Sequence, residues 1–138
     1  YQPYLKLGDL LHFDLRANPT VSVRVEGRKS PRHDVLMHAK KRAASEHSLP
    51  VALESAGRDW LLKRAQSWGL DIDAAALAQN GYRQHRLRHK GRHIEFSSLD
   101  YQGLARVADP ERLRRVLLEG VGHAKGFGCG LLLVRRVS

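Results

Sequence analysis

The sequence predicts an α+β domain of ferredoxin-like topology, the split βαβ arrangement with an antiparallel sheet. Three observations predict it. The elements run strand, helix, hairpin, helix, strand, which is the order of that arrangement. Apolar residues recur at helical spacing inside segments with capping residues at their ends. A long central run turns back on itself at Lys90-Gly91, a hairpin signal. The chain has 138 residues, room for one domain with a modest core.

The first strand covers residues 10–16, which alternate loosely and end at the turn pair Asn18-Pro19. Val21, Val23 and Val25 alternate with polar residues and predict a short strand. Residues 28–33 read as a basic, proline-containing loop carrying Arg28, Lys29 and Arg32. Residues 35–48 have no settled period and stand open between a frayed helix and a mobile loop. From Pro50 onward, Leu53, Ala56, Trp60, Leu61, Ala65 and Trp68 repeat at helical spacing. Pro50 suits the first turn of that helix and Gly69 its stop. This spacing assigns both tryptophans to the core rather than to a base-stacking platform. Residues 71–80 read as a second short helix or a loop, and residues 82–107 as a long hairpin. Asp109-Pro110-Glu111 opens the next helix with an N-cap, a proline at the first position and an acid near the positive end of the dipole. Leu113, Val116 and Leu117 face inward, and Gly120 ends the helix. Residues 131–137 form the closing strand. No internal repeat or low-complexity tract stands out.

Charge narrows the function. Lys and Arg number 24 against 14 Asp and Glu, a net charge of +10. Arg outnumbers Lys, and its planar fork suits bidentate contact with phosphate. Such a surplus points to a polyanion, nucleic acid before membrane. A membrane partner would want a basic amphipathic helix or an apolar run of about 18 residues, and the sequence shows neither. One cysteine leaves no internal disulfide and no cysteine-based zinc site. With no visible signal peptide, a reducing cytoplasm is the expected setting. The chain opens on Tyr1 rather than Met, as a fragment would.

The hairpin holds the strongest chemical pattern. No acid occurs between Tyr82 and His93, and Arg86, Arg88, Lys90 and Arg92 fall at period two. An extended strand places such residues on one face until the turn. Like charges on one face repel unless a polyanion lies against them. A two-stranded ribbon fits a nucleic-acid groove, and the end of an RNA stem opens a groove that is otherwise too narrow. The competing reading is a solvated edge whose charge blocks aggregation. His85, His89 and His93 are spaced by four. On a strand they share a face but lie too far apart to chelate, so no metal site is assigned.

The stretch 120–130 places five glycines, Gly120, Gly122, Gly126, Gly128 and Gly130, between a capped helix and a buried strand. Glycine permits positive φ and close backbone approach to a ligand, and successive N–H groups can form an anion nest. Lys125 adds a point charge. The spacing matches neither the Walker pattern nor the dinucleotide fingerprint. Tight-turn duty and phosphate contact both stay open. His123 in this loop is a tempting general base for RNA cleavage.

Two motifs carry a resemblance. Gly120-Val121-Gly122-His123-Ala124-Lys125-Gly126-Phe127-Gly128-Cys129-Gly130-Leu131-Leu132 resembles the C-terminal signature of the CasE family, the CRISPR RNA-processing endoribonucleases of type I-E Cascade. Gly8-Asp9 followed by Phe13-Asp14-Leu15-Arg16-Ala17-Asn18-Pro19-Thr20 is similar to the family's strand ending in Leu-Arg-Ala-Asn-Pro. The motifs stand in the family's order at about its spacing. The resemblance covers essentially the whole chain but only the C-terminal part of the family. It implies that residues 1–138 are the C-terminal ferredoxin-like RNA-binding domain of a tandem ferredoxin-like protein, with the family's N-terminal domain absent. It further implies binding to the repeat stem-loop of pre-crRNA, metal-independent cleavage by 2′-OH attack, other Cascade subunits as partners and no small-molecule cofactor. CasE enzymes draw a catalytic His, assisted by a Tyr, from the N-terminal domain, so no catalytic residue is assigned to this chain and His123 is not the base. The expected RNA contacts are Arg28, Lys29, Arg32, Arg86, Arg88, Lys90, Arg92, His123 and Lys125. Lys90 and Arg92 match the family's hairpin near the scissile phosphate. The alternatives are a non-catalytic RNA-binding subunit of the same fold and a phosphate-ligand protein built on the glycine loop.

Overall fold

In the computed structural model, residues 4–22, 32–34, 49–89, 91–121 and 129–137 are described. Strand β1 (Leu10–Ala17) buries Leu11, Phe13, Leu15 and Ala17 and leaves Asp14 and Arg16 exposed. That is the period of a strand with one covered face. β2 (Thr20–Ser22) and β3 (Arg32–Asp34) form a separate antiparallel pair, Val21 opposite His33. The loop expected over residues 28–33 therefore ends in a strand. Three residues are too few to show a period, and the pairing partner is about a dozen residues away. Val23, Val25, Arg28, Lys29 and residues 35–48 lie outside the described residues.

Helix α1 (Leu49–Ala65) runs into a 3₁₀ turn at Gln66–Trp68 and stops at Gly69, whose φ is 78°. β4 (Leu70–Ile72) follows, then a 3₁₀ turn at Ala74–Ala76 whose first N–H groups include one held by Asp73. Half of residues 71–80 are thus strand, at 71–72 and 78–80, with the helical reading surviving only as that one turn. β4 is stabilised by pairing with residues 105–107, a non-local partner that local periodicity does not report. The hairpin is present as β5 (Ala78–His89) and β6 (Arg92–Val107), and Gly91 in its turn has φ 76°. It begins four residues before the sequence placed it. Helix α2 (Pro110–Glu119) is capped by the Asp109 carboxylate, which accepts from the Arg112 N–H, and ends at Gly120. β7 (Leu132–Arg136) closes the domain.

The five-stranded sheet is ordered β4-β6-β1-β7, with β5 also on β6, and every pair is antiparallel. β1 pairs with β6 over residues 99–106, so β4 and β5 share the opposite edge of β6. This is the ferredoxin-like order with its second strand in two pieces. One face is apolar: Leu11, Phe13, Leu15, Leu70, Leu99, Tyr101, Val107, Leu132 and Val134 pack with Trp60, Leu61, Ala65, Trp68 and Leu113 from the helices. Both tryptophans are core residues. Trp60 meets Trp68 edge-on with centroids 5.9 Å apart, and stacks with Tyr101 at 6.3 Å. The Tyr101 hydroxyl donates to the Gly57 carbonyl at 2.8 Å, and burial pushes its pKa up. Gly57 lets α1 approach this closely, since a Cβ there would come within 2.5 Å of Leu99 Cδ1. No described helix is long and apolar enough to cross a membrane.

Candidate nucleic-acid interface

The charged arm is built by strand length. β6 has 16 residues, and its residues 99–107 are held by β1 and β4. Residues 92–98 pair with β5 alone among the described strands, so the outer hairpin is a two-stranded ribbon. Its register sets Arg86 opposite Glu95 and Arg88 opposite His93. Arg86 Nε lies 3.4 Å from Glu95 Oε1, with the side chains 79% and 53% exposed. Arg88 Nη2 lies 3.5 Å from His93 Nε2. An exposed pair of this kind contributes about 0–1 kcal/mol, so both guanidinium groups stay available to a phosphate.

On the other face, the His85 ring stacks on Phe96 at 4.6 Å and shares a 2.8 Å hydrogen bond with Ser98 Oγ. That contact stiffens the ribbon and leaves the Arg86–Arg88 face outward.

Two expectations about the hairpin change here. The acid-free run does not make an acid-free surface, because the turn returns Glu95 to Arg86. Nor do His85 and His93 share a face: they sit on different strands and contact different neighbours. Arg92 opens β6 opposite His89, on the returning strand, so the shared face of the period-two run ends at the turn, as expected. Among the described residues no group of three His, Cys, Asp or Glu could hold a metal. Lys90, His123, Lys125, Gly122, Gly126 and Gly128 lie outside the described residues, and Arg32 is placed only as a β3 residue opposite Ser22.

The root of the arm is braced by residues to which the sequence assigned no role of their own. Arg16 Nε and Nη2 donate to the Asp100 carboxylate at 2.8 and 3.4 Å. This hydrogen bond and charge hold the Arg16 proton more firmly than usual. Asn18 Nδ2 donates to the Ser97 carbonyl at 2.7 Å in the interior. The Gly130 N–H donates to the Arg16 carbonyl at 2.7 Å, and the Val121 N–H to the Gly130 carbonyl at 2.8 Å. Both motifs and the hairpin root therefore converge at the C-terminal end of β1. Gly120 and Gly130, with φ of 80° and 93°, serve as turn residues that bring the ends of the glycine-rich segment together. Burial pushes the thiol of Cys129 up, against the pull of Arg16. The string Leu-Arg-Ala-Asn-Pro held two of these bracing residues, whereas nothing near Asp100 marks it.

The sheet face that the described residues leave uncovered is chemically different. Asp14, Arg16, Asn80, Asp100, Gln102, Leu131 and Leu133 line a cavity of about 290 Å³ there. It presents two carboxylates, and its one guanidinium is engaged by Asp100. None of its exposed lining residues is aromatic. The cavity itself carries a net negative charge and offers no ring for a base, unlike the stacking sheet of an RRM, while exposed Arg106 and Arg135 lie further along the same face. The hairpin arm is the better anion surface. Removing the acid that faces it should sharpen this: Glu95→Gln should raise affinity for an RNA stem-loop about two- to fivefold, since an exposed like-charge contact costs roughly 0.5–1 kcal/mol. Fluorescence anisotropy at fixed salt reads the change.

Comparison with known proteins identifies the same fold. A family model described as CRISPR associated protein matches residues 1–136. The CRISPR-associated endoribonuclease Cse3 of Thermus thermophilus is 29% identical over 134 residues, covering 97% of this chain and 59% of that protein. A solved structure of CRISPR endoribonuclease Cse3 bound to 19 nt RNA superposes with a TM-score of 0.72 at 25% identity, covering 97% of this chain and 58% of that one. A chain of a CRISPR RNA-guided surveillance complex shares the fold, with a TM-score of 0.65 at 24% identity, covering 99% of this chain and 64% of that one. The chain thus spans about three fifths of the length of these relatives.

Proposed function

This chain belongs to the family of CRISPR associated proteins, and on that footing we propose that it is the RNA-binding part of a crRNA-processing endoribonuclease, holding the repeat stem-loop of pre-crRNA against its hairpin arm. The observation that carries the reading is the exposed Arg86–Arg88 face on a ribbon whose root is tied to β1 by Arg16 and Asn18. A rigid root matters because phosphate contacts fix register only if their donors are already in place. The fold shared with a chain of an RNA-guided surveillance complex supports other Cascade subunits as partners that keep the protein on the crRNA 3′ hairpin. A lone buried Cys129, held as a thiol, suits a reducing cytoplasm.

The reaction is an internal transesterification. The ribose 2′ oxygen attacks the adjacent phosphorus, the P–O5′ bond breaks, and a 2′,3′-cyclic phosphate and a 5′-OH result. Cationic side chains stabilise the charge that grows on the phosphorane oxygens. Arg86 and Arg88 hold the stem, and the family resemblance assigns Lys90 and Arg92 to the region of the scissile phosphate. No residue of this chain is assigned as the general base. The 138-residue chain should therefore bind a repeat stem-loop in EDTA without cleaving it. A 2′-deoxy substitution at the scissile nucleotide should leave its affinity within about twofold, because phosphates dominate binding. Gel analysis of labelled RNA checks both. Robust cleavage by this chain, lost on His123→Ala, would move the active site into the glycine loop.

A further inference from the structure

The hairpin contains one residue more on β5 than on β6. Asn80 pairs with Asp100 and Arg83 with Ser98, so three steps along β5 match two along β6. This is a β-bulge, and bulges bend their strand and increase its twist. Gly81 sits in it with φ 66°. A Cβ at Gly81 would lie 2.5 Å from Asp100 Oδ2, so the bulge closes directly on that carboxylate. From the other side the same carboxylate takes Nε and Nη2 of Arg16. The bulge lies where β1 stops pairing with β6, at Ala17 opposite Leu99. Beyond this point the sheet becomes the two-stranded arm.

We propose that Gly81, Asp100 and Arg16 form an elbow that aims the hairpin arm, and with it the Arg86–Arg88 face, toward bound RNA. They act as positioning residues and not as RNA contacts. This rests on the RNA-binding reading above. The bulge forfeits regular ladder pairing and requires a left-handed residue, so a hairpin selected for stability alone would not keep it. Its effect is direction. Gly81 supplies the bend, Asp100 fills the space that glycine leaves, and Arg16 ties Asp100 to the central strand.

Register gives a clean test. Deleting Gly81 lets Asn80 keep Asp100 and Arg83 keep Ser98, with Tyr82 falling opposite Leu99. Every pair on both sides survives, and only the bend is lost. In the parent chain, Arg86→Ala with Arg88→Ala should weaken binding of a labelled CRISPR repeat stem-loop about 30- to 150-fold. The Gly81 deletion should weaken it by a similar factor while melting at the parent temperature or above. In the deletion background the arginine pair should then change affinity by less than about threefold, since a misaimed arm has no phosphate contacts to lose. An arginine cost equal in both backgrounds would overturn the elbow, as would parent-like RNA affinity in the deletion variant. If the deletion variant does not fold, the same cycle in Asp100→Asn decides, because it keeps chain length and side-chain shape. There the arginine cost should again fall, and an unchanged cost refutes the proposal. A parent chain that binds no stem-loop instead refutes the RNA reading itself, before any variant is compared.

Discussion

Replacing Arg86 and Arg88 together with alanine should weaken RNA stem-loop binding about 30- to 150-fold, or roughly 2–3 kcal/mol for the two charged contacts. Both side chains are exposed, and the Glu95 pairing of Arg86 is too weak to resist exchange for a phosphate. Losing two phosphate contacts should also lower the slope of log K against log salt by roughly two units. Stability should not move, because neither side chain is in the core, so a melting curve separates lost contacts from lost fold. Unchanged affinity and slope in a folded double variant would remove the arm from the interface.

Gly69→Val should destabilise the domain by roughly 2–5 kcal/mol, combining a left-handed backbone with a forced displacement. Gly69 has φ 78° at the end of the 3₁₀ turn after α1. Its carbonyl accepts from the N–H groups of Ala108 and Asp109 at 2.8 and 3.1 Å. A Cβ would fall on the Asp109 carbonyl oxygen, with the Leu113 nitrogen 3.1 Å away. Backbone atoms on that side cannot swing aside as a side-chain tip can. The same turn fixes the N-cap of α2, so the damage spreads to the buried Leu113 and the packing behind Trp68. Chemical denaturation followed by tryptophan fluorescence reads it, since Trp60 and Trp68 are both in the core. A Gly69→Val midpoint equal to the parent's would show that the joint between α1 and α2 is loose.

The parts of this fold legible in the sequence are those with local causes. Leu11, Phe13 and Leu15 alternate with polar residues because β1 has one covered face. Asp109, Pro110 and Gly120 mark both ends of α2 because caps act within a turn of the helix. Lys90-Gly91 marks the hairpin because positive φ there needs glycine. The hidden parts have distant causes. β4 is three residues stabilised by β6, more than thirty positions later. Arg16 and Asp100 are 84 residues apart and meet only through strand pairing. Glu95 opposes Arg86 only because the turn falls where it does, and a shift of one residue would pair other side chains. The basic face was therefore visible as a composition, whereas its neutralising partner, its bulge and its bracing were not. The family resemblance was legible because the bracing residues Arg16 and Asn18 lie in a contiguous string, even though what they brace does not.

Hydrogen–deuterium exchange of the chain with and without a CRISPR repeat stem-loop reads out whether RNA lies on the hairpin arm. Protection should concentrate in residues 83–96, the two strands of the arm and their turn. Little change is expected around the cavity of Asp14, Gln102 and Leu133. Protection around that cavity with an unprotected arm would contradict the placement of RNA on the hairpin.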